Sequence, residues 1–292
     1  MPDTAPDVPD TYLLGALPVH RTGFGAMQLP GRGVMGPPRD HDAAVAVLRR
    51  AVELGVDHID TAQFYGPDVA NELIREALHP YADGLALVSK VGARRDAKGG
   101  WPPAQKPAEL REDVHQNLRT LGVEQLAAVN LRITDPLPNY TPPPLDDQLA
   151  EMLALQDEGL IAGIGLSNVT LEQLDHALSQ LDIVCVQNPY SILDRTHEDV
   201  LQRCLAEEIA FVPFFPLGSA FPGMPKVTEQ PQVQEVARRH DATPAQVGLA
   251  WLLQHAPNVL LIPGTSSVAH LEENMGAGQL TLTAEDVATL EA

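Results

Sequence analysis

Eight short apolar runs recur along the chain, and this rhythm limits its fold more than any other feature. They are TGFGAM from Thr22, VDHID from Val56, LALVSK from Leu85, LAAVNLR from Leu126, IAGIGLS from Ile161, IVCVQN from Ile183, IAFVPFF from Ile209 and VLLIPG from Val259. Each has strand length and is nearly continuous rather than alternating, the pattern of strands buried on both faces. Helical stretches separate most of them. DAAVAVLRRAVELG has Asp40 or Asp42 to cap its start and Gly55 to end it, and PAELREDVHQNLRTLG carries Leu110, Val114, Leu118 and Leu121 on one face between Pro107 and Gly122. Thr170 with Gln173, and Thr243 with Gln246 behind Pro244, spell capping boxes. An eightfold strand and helix alternation without a composition shift predicts an α/β fold, a single (β/α)8 TIM barrel over residues 1–292. TYLLGALPV, residues 11–19, predicts an N-terminal β-hairpin that closes the barrel floor. Extra helices are expected late in the chain, one between the last two strands and one after Thr283.

The formal charge of −20 argues against nucleic acid, because neutralising phosphates needs a basic surface. Any anionic ligand must be met locally, by a few basic side chains and backbone N–H groups. Cys185 and Cys204 are the only cysteines and lack CxxC spacing, which removes disulfide frameworks and thiolate zinc sites. The ten histidines show no metal spacing, so no metal site is expected, and no G-x-S-x-G supports nucleophilic hydrolysis. No apolar run reaches bilayer length and the start MPDTAPDVPD is acidic, which predicts a cytoplasmic protein with no membrane partner. GRGVMG, Gly31 to Gly36, matches the G-x-G-x-x-G dinucleotide fingerprint, but Leu29-Pro30 before it and Pro37-Pro38 after it spoil the strand and helix that fingerprint needs.

In a barrel of this kind the residues that end the strands face the active site. Here they are Asp60, Lys90, Arg132, Ser167-Asn168, Gln187-Asn188, Phe214-Phe215 and Gly264 to Ser267. A carboxylate, an ammonium and a guanidinium from adjacent strands should therefore meet across one mouth.

HIDTAQFYG, then VSK, IGLSN, VQN, PFFPLG, and IPGTSS with EEN close behind, resemble the aldo-keto reductase superfamily over essentially the whole chain, and within it the bacterial pyridoxal reductases. The resemblance implies a (β/α)8 barrel that binds NADPH without a Rossmann domain and reduces a carbonyl, with Asp60, Tyr65 and Lys90 in three positions of a catalytic tetrad. The residues suit that chemistry. A phenol with a pKa of about 10 is a weak acid alone, and a nearby Lys90 ammonium, paired with Asp60, would stabilise the tyrosinate. At the fourth position, where the family usually has histidine, Arg132 stands. Either Arg132 makes the chain a catalytically silent NADPH-binding partner protein, or its guanidinium holds a substrate with negative charge near the carbonyl, as pyridoxal has in its phenolate. The second reading is preferred, with a general small-carbonyl reductase as alternative.

By the same resemblance, Ser167, Asn168 and Gln187 hold the nicotinamide carboxamide, and Phe214 replaces the usual stacked tyrosine. Phe215, Pro216, Leu217, Gly218 and Ser219 cover the pyrophosphate. Gly264, Thr265, Ser266, Ser267, His270, Glu273 and Asn274 surround the adenosine end, while Gly25, Ala26 and Met27 line the cofactor from the first strand. Many NADPH-binding members have lysine where Gly264 stands and arginine where His270 stands, so hydroxyls and helix-start N–H groups would carry the 2′-phosphate here. GRGVMG then becomes the mobile loop at the rim of the substrate pocket, and Trp101 a candidate pocket wall. The partner expected is a small carbonyl compound, with a monomer consistent with this reading.

Overall fold

The computed structural model describes residues 10–218, 223 and 225–292. An antiparallel hairpin opens it, β1 (Thr11–Leu14) and β2 (Leu17–His20), turning through Gly15 at φ 62°. Then follow β3 (Phe24–Gly25), α1 (His41–Glu53), β4 (His58–Asp60), α2 (Val69–Leu78), β5 (Ala86–Ala93), β6 (Pro103–Ala104), α3 (Pro107–Leu121), β7 (Ala128–Arg132) and α4 (Leu145–Asp157). The second half holds β8 (Ile164–Ser167), α5 (Leu171–Leu178), β9 (Cys185–Gln187), α6 (Glu198–Ala206), β10 (Ala210–Phe211), α7 (Pro231–Arg239), α8 (Pro244–His255), α9 (Val268–Met275) and α10 (Ala284–Leu290).

Seven strands pair in parallel in the order β10-β9-β8-β7-β5-β4-β3. The eighth run closes the ring through single bridges rather than a full ladder: Val259 bridges to Phe211 on one side and Leu261 to Thr22 on the other. Several strands are shorter than their apolar runs. TGFGAM pairs with β4 at Phe24–Gly25 before a 3-10 turn over Ala26–Gln28, and IAFVPFF pairs with β9 at Ala210–Phe211, with Val212 N and Phe214 N continuing to the Val186 and Asn188 carbonyls, while Pro213 has no N–H to offer the eighth run.

Continuous hydrophobicity is explained by two cores. Leu14, Val19, Val88, Ala128, Cys185, Ala210, Val212 and Leu260 fill the barrel, while a larger set including Ile59, Val91, Leu131, Leu166 and Phe211 packs against the helices. Leu14 and Val19 belong to the hairpin, so the hairpin plugs the floor and leaves the opposite mouth for chemistry.

The capping signals read at Asp40, Thr170, Thr243 and Gly122 form as spelled, and Thr283 adds a box that was not read. Asp40 accepts from Ala43 N, Thr170, Thr243 and Thr283 each close a capping box, and Gly122 ends α3 at φ 72°. The N-terminal cap of a helix is worth roughly 1 kcal/mol. These caps fix where each helix leaves its strand, and so where each strand-end side chain is aimed.

Candidate active site

Asp60 ends β4, Arg132 ends β7, Ser167 ends β8 and Gln187 ends β9, while Lys90 lies in β5 between the first two. Neighbouring parallel strands therefore bring these side chains to one mouth. Lys90 Nζ forms a buried ion pair with Asp60 Oδ1 and also donates to the Thr61 carbonyl at 3.2 Å. The other carboxylate oxygen, Asp60 Oδ2, accepts from Gln187 Nε2 at 2.7 Å. One carboxylate is thus shared by side chains of two other strands, and removing either partner of the buried ion pair would leave the other charge uncompensated.

Tyr65 sits in the loop between β4 and α2, buried, with Lys90 Nζ 5.2 Å from its ring centroid. Burial pushes its phenol above the ordinary value; the Lys90 charge pulls it down and Asp60 pushes it up again. The lysine thus offsets part of the burial effect rather than producing a phenol of unusually low pKa. Burial alone would lower Lys90, but Asp60 and Tyr65 outweigh it and hold the ammonium above its ordinary range. Arg132 is lowered by burial, opposed by Tyr65. Its Nε is buried without a partner, and among the described residues no carboxylate pairs with its guanidinium.

A buried polar network braces this group from behind. Asn117 of α3 accepts from Ser89 Oγ at 2.7 Å and Asn71 Nδ2 at 2.9 Å, and donates to Gln63 Oε1 at 2.9 Å. Thr61 Oγ1 donates to Asn71 Oδ1 at 2.8 Å. Ser89 precedes Lys90, Thr61 follows Asp60, and Gln63 lies two residues before Tyr65, so one satisfied network fixes the backbone under all three. The sequence reading missed it. The available signal was Asn117 lying on the same face of α3 as Val114 and Leu121, where an apolar residue is expected.

On the other side of the mouth, Asn168 adopts φ 61°, takes a backbone bond from its N–H to the Gln187 carbonyl at 2.9 Å and donates Nδ2 to Ile133 O at 3.1 Å. Ser167 is buried between Arg132 and Gln187 in register. Gln187 Oε1 is buried without a partner, an acceptor suited to a carboxamide N–H. Phe214 and Phe215 meet edge to face at 5.1 Å, and Pro216, Leu217 and Gly218 follow, half-buried. Ser219 lies outside the described residues.

Gly25 and Gly264 touch backbone to backbone. A Cβ on Gly264 would stand 2.5 Å from Gly25 O, and one on Gly25 would stand 2.4 Å from Ile262 O. This gives a local reason for glycine at position 264. Thr265 Oγ1 accepts from Ser267 N at 3.0 Å, Ser267 caps α9 at His270 N, and Ser266 and His270 are exposed. Asn274 is buried, Glu273 and Met27 are half-buried, and Ala26 is packed in the core, leaving only its backbone available.

Trp101 is half-buried and lies edge-on to Phe64 at 5.7 Å, and Phe64 is edge-on to Tyr65 at 5.2 Å. Trp101 therefore stands one aromatic ring away from Tyr65. Among the described residues no group of three or more His, Cys, Asp or Glu side chains is placed to hold a metal ion, and no helix is long and apolar enough to cross a membrane.

Residues 21–292 match the model of the aldo/keto reductase family. The chain belongs to that family. It is 49% identical to the pyridoxine 4-dehydrogenase of Escherichia coli over 287 residues, covering 97% of each chain. Among solved structures, it resembles the thermostable aldo-keto reductase Tm1743 in complex with the inhibitor epalrestat, at 30% identity and a TM-score of 0.80 over 95% of this chain and 96% of that one. The aldo/keto reductase of Klebsiella pneumoniae in complex with NADP and acetate is 26% identical, with a TM-score of 0.77, over 94% of this chain and 91% of that one. The chain is an aldo/keto reductase in sequence and in fold, an oxidoreductase of carbonyl compounds.

Proposed function

We propose that this aldo/keto reductase, acting as one domain over residues 1–292, uses NADPH to reduce pyridoxal to pyridoxine at the mouth formed by Asp60, Tyr65, Lys90 and Arg132. When bound, NADPH supplies the hydride for the carbonyl carbon. Ser167, Asn168 and Gln187 hold its carboxamide, the orphaned Gln187 Oε1 taking a carboxamide N–H, and Phe214 lies along the ring. The run Gly264 to Ser267 and the start of α9 receive the adenosine end, where hydroxyls and N–H groups suit a phosphate and the run itself contains no carboxylate.

Tyr65 gives its proton to the carbonyl oxygen. With its phenol raised by burial, the hydroxyl stays loaded at neutral pH, and Lys90 stabilises the phenolate as it forms. Asp60 keeps Lys90 charged and in place, and Gln187 fixes the second carboxylate oxygen.

The observation that carries the substrate assignment is Arg132, a half-buried arginine beside Tyr65 whose buried Nε has no partner and which has no carboxylate of its own among the described residues. Its anion must come from the ligand, and pyridoxal presents a phenolate ortho to its aldehyde. The likeness to a pyridoxine 4-dehydrogenase supports the same reading. Losing one charge-assisted hydrogen bond of about 1.5–3 kcal/mol should lower kcat/KM for pyridoxal in Arg132→Leu by roughly 10- to 100-fold. A neutral aromatic aldehyde should be little affected. Equal losses on both substrates, or none on pyridoxal, would remove the anchor.

A further inference from the structure

The glycine-rich rim loop is tied down, and one side chain does the tying. Arg95, in the segment between β5 and β6, donates Nη2 to Gly33 O at 2.7 Å and Nε to Met35 Sδ at 3.2 Å. Its guanidinium lies over the Trp101 ring, 3.7 Å from the centroid. Met35 in turn bridges to Gly66, and Gly36 N donates to Gly66 O at 3.0 Å. Gly66 is the residue after Tyr65.

The contacts close a circuit. From Tyr65 it runs through Phe64 to Trp101, across to Arg95, over to the loop at Gly33 and Met35, and back through Gly66 to Tyr65. We propose that Arg95 is a positioning residue, clamping the loop after β3 to the loop after β5 and so fixing the Tyr65 hydroxyl against its substrate. This rests on the reading of Tyr65 as proton donor.

The chemistry requires arginine. Only a planar guanidinium can lie flat on an indole while its edge donates in two directions; an ammonium cannot do both. The loop it grips is shaped to be gripped. Gly33 and Gly36 take φ of 71° and 66°, and a Cβ on Gly31 would stand 2.6 Å from both Met35 O and Pro37 O. The opposing segment is equally fixed, with Asp96 Oδ1 accepting from Lys98 N and Gly100 N, each at 2.8 Å, and Arg94 N donating to Pro102 O at 3.0 Å. Arg95 is the side chain that joins two preformed loops.

The test compares wild type with Arg95→Ala and Arg95→Lys, using pyridoxal and a neutral aromatic aldehyde, with NADPH binding and thermal unfolding measured beside turnover. The clamp predicts a loss of kcat of about tenfold or more in Arg95→Ala on whichever aldehyde the wild type reduces. Little recovery is expected in Arg95→Lys, partial recovery of Arg95→Ala on adding millimolar guanidinium ion, and NADPH affinity unchanged in all. Unchanged kcat, or a loss that tracks weakened NADPH binding or unfolding, overturns it. If the wild type ignores pyridoxal but reduces the neutral aldehyde, the substrate reading fails while the clamp is still scored. Acrylamide quenching reads the clamp without catalysis, because Trp251 is buried in the core and Trp101 is half-buried beneath Arg95. Quenching should rise in Arg95→Ala, and no change there would overturn the clamp even in a protein that reduced nothing.

Discussion

At the scale of single residues, the site is governed by burial and by who shares whose charge. Tyr65 is the clearest case: spacing from Asp60 suggested a phenol helped by Lys90, but only the three-dimensional surroundings reveal that burial outweighs that help. The sign has a kinetic consequence. A phenol titrating above its ordinary value of about 10 remains a proton donor through neutral and mildly alkaline pH, so pyridoxal reduction should stay flat from about pH 7 to 9 as far as this group is concerned. Oxidation of pyridoxine needs the phenolate and should climb with pH over the same range. A reductive rate already falling across that interval at saturating NADPH would contradict the assignment. The strand-end residues Asp60, Arg132, Ser167 and Gln187 were legible because a barrel dictates where strand ends point; Lys90, expected to end its strand, lies inside β5, which runs on to Ala93. Arg95, Asn117 and the Gln187 to Asp60 bond were not legible, since they depend on loop conformations and on side-chain reach between elements distant in sequence.

At the scale of elements, the helices were readable wherever capping chemistry spelled their ends, as at Asp40, Thr170 and Thr243. Strand lengths were less so: an apolar run marks burial, whereas a ladder requires regularly paired backbone, which the turn at Ala26–Gln28 ends on the first strand and which the eighth run makes only as single bridges. The rim loop expected after the first strand makes contacts with Arg95 and Gly66 that its glycine-rich composition did not indicate. Helix α3 carries a testable cost. Asp113 is buried against Arg94, one of its oxygens lacks a partner, and burial pushes its carboxyl up from 3.8 to about 6. A folded value above the unfolded one means that stability from this group is present below about pH 4 and is lost as pH rises toward 6. The melting temperature of Asp113→Asn relative to wild type should therefore move in the variant's favour between those pH values. Thermal scans that show a constant offset, or one moving the other way, would refute the assignment.

At the scale of the whole molecule, a net charge of −20 surrounds a site proposed to take a polyanionic cofactor through neutral groups. Among the cofactor positions His270 is the one basic side chain, so long-range repulsion is not balanced by a local cluster of cations. Moderate salt should screen that repulsion and leave NADPH affinity unchanged or tighter. A steep weakening with salt would point instead to cationic contacts outside the proposed cradle. Fold class and the side of the barrel that carries chemistry were legible because strand rhythm and hairpin placement are global patterns; substrate identity was not, because it hangs on one guanidinium and the loops around it. The most direct test is NADPH consumption with pyridoxal by the wild type and by Tyr65→Phe, each first shown to bind NADPH. Pyridoxine formed by the wild type and a loss of about 10²-fold or more in the variant is the predicted result. A wild type that binds NADPH but reduces no pyridoxal, or a Tyr65→Phe protein that keeps its rate, would contradict the proposed mechanism.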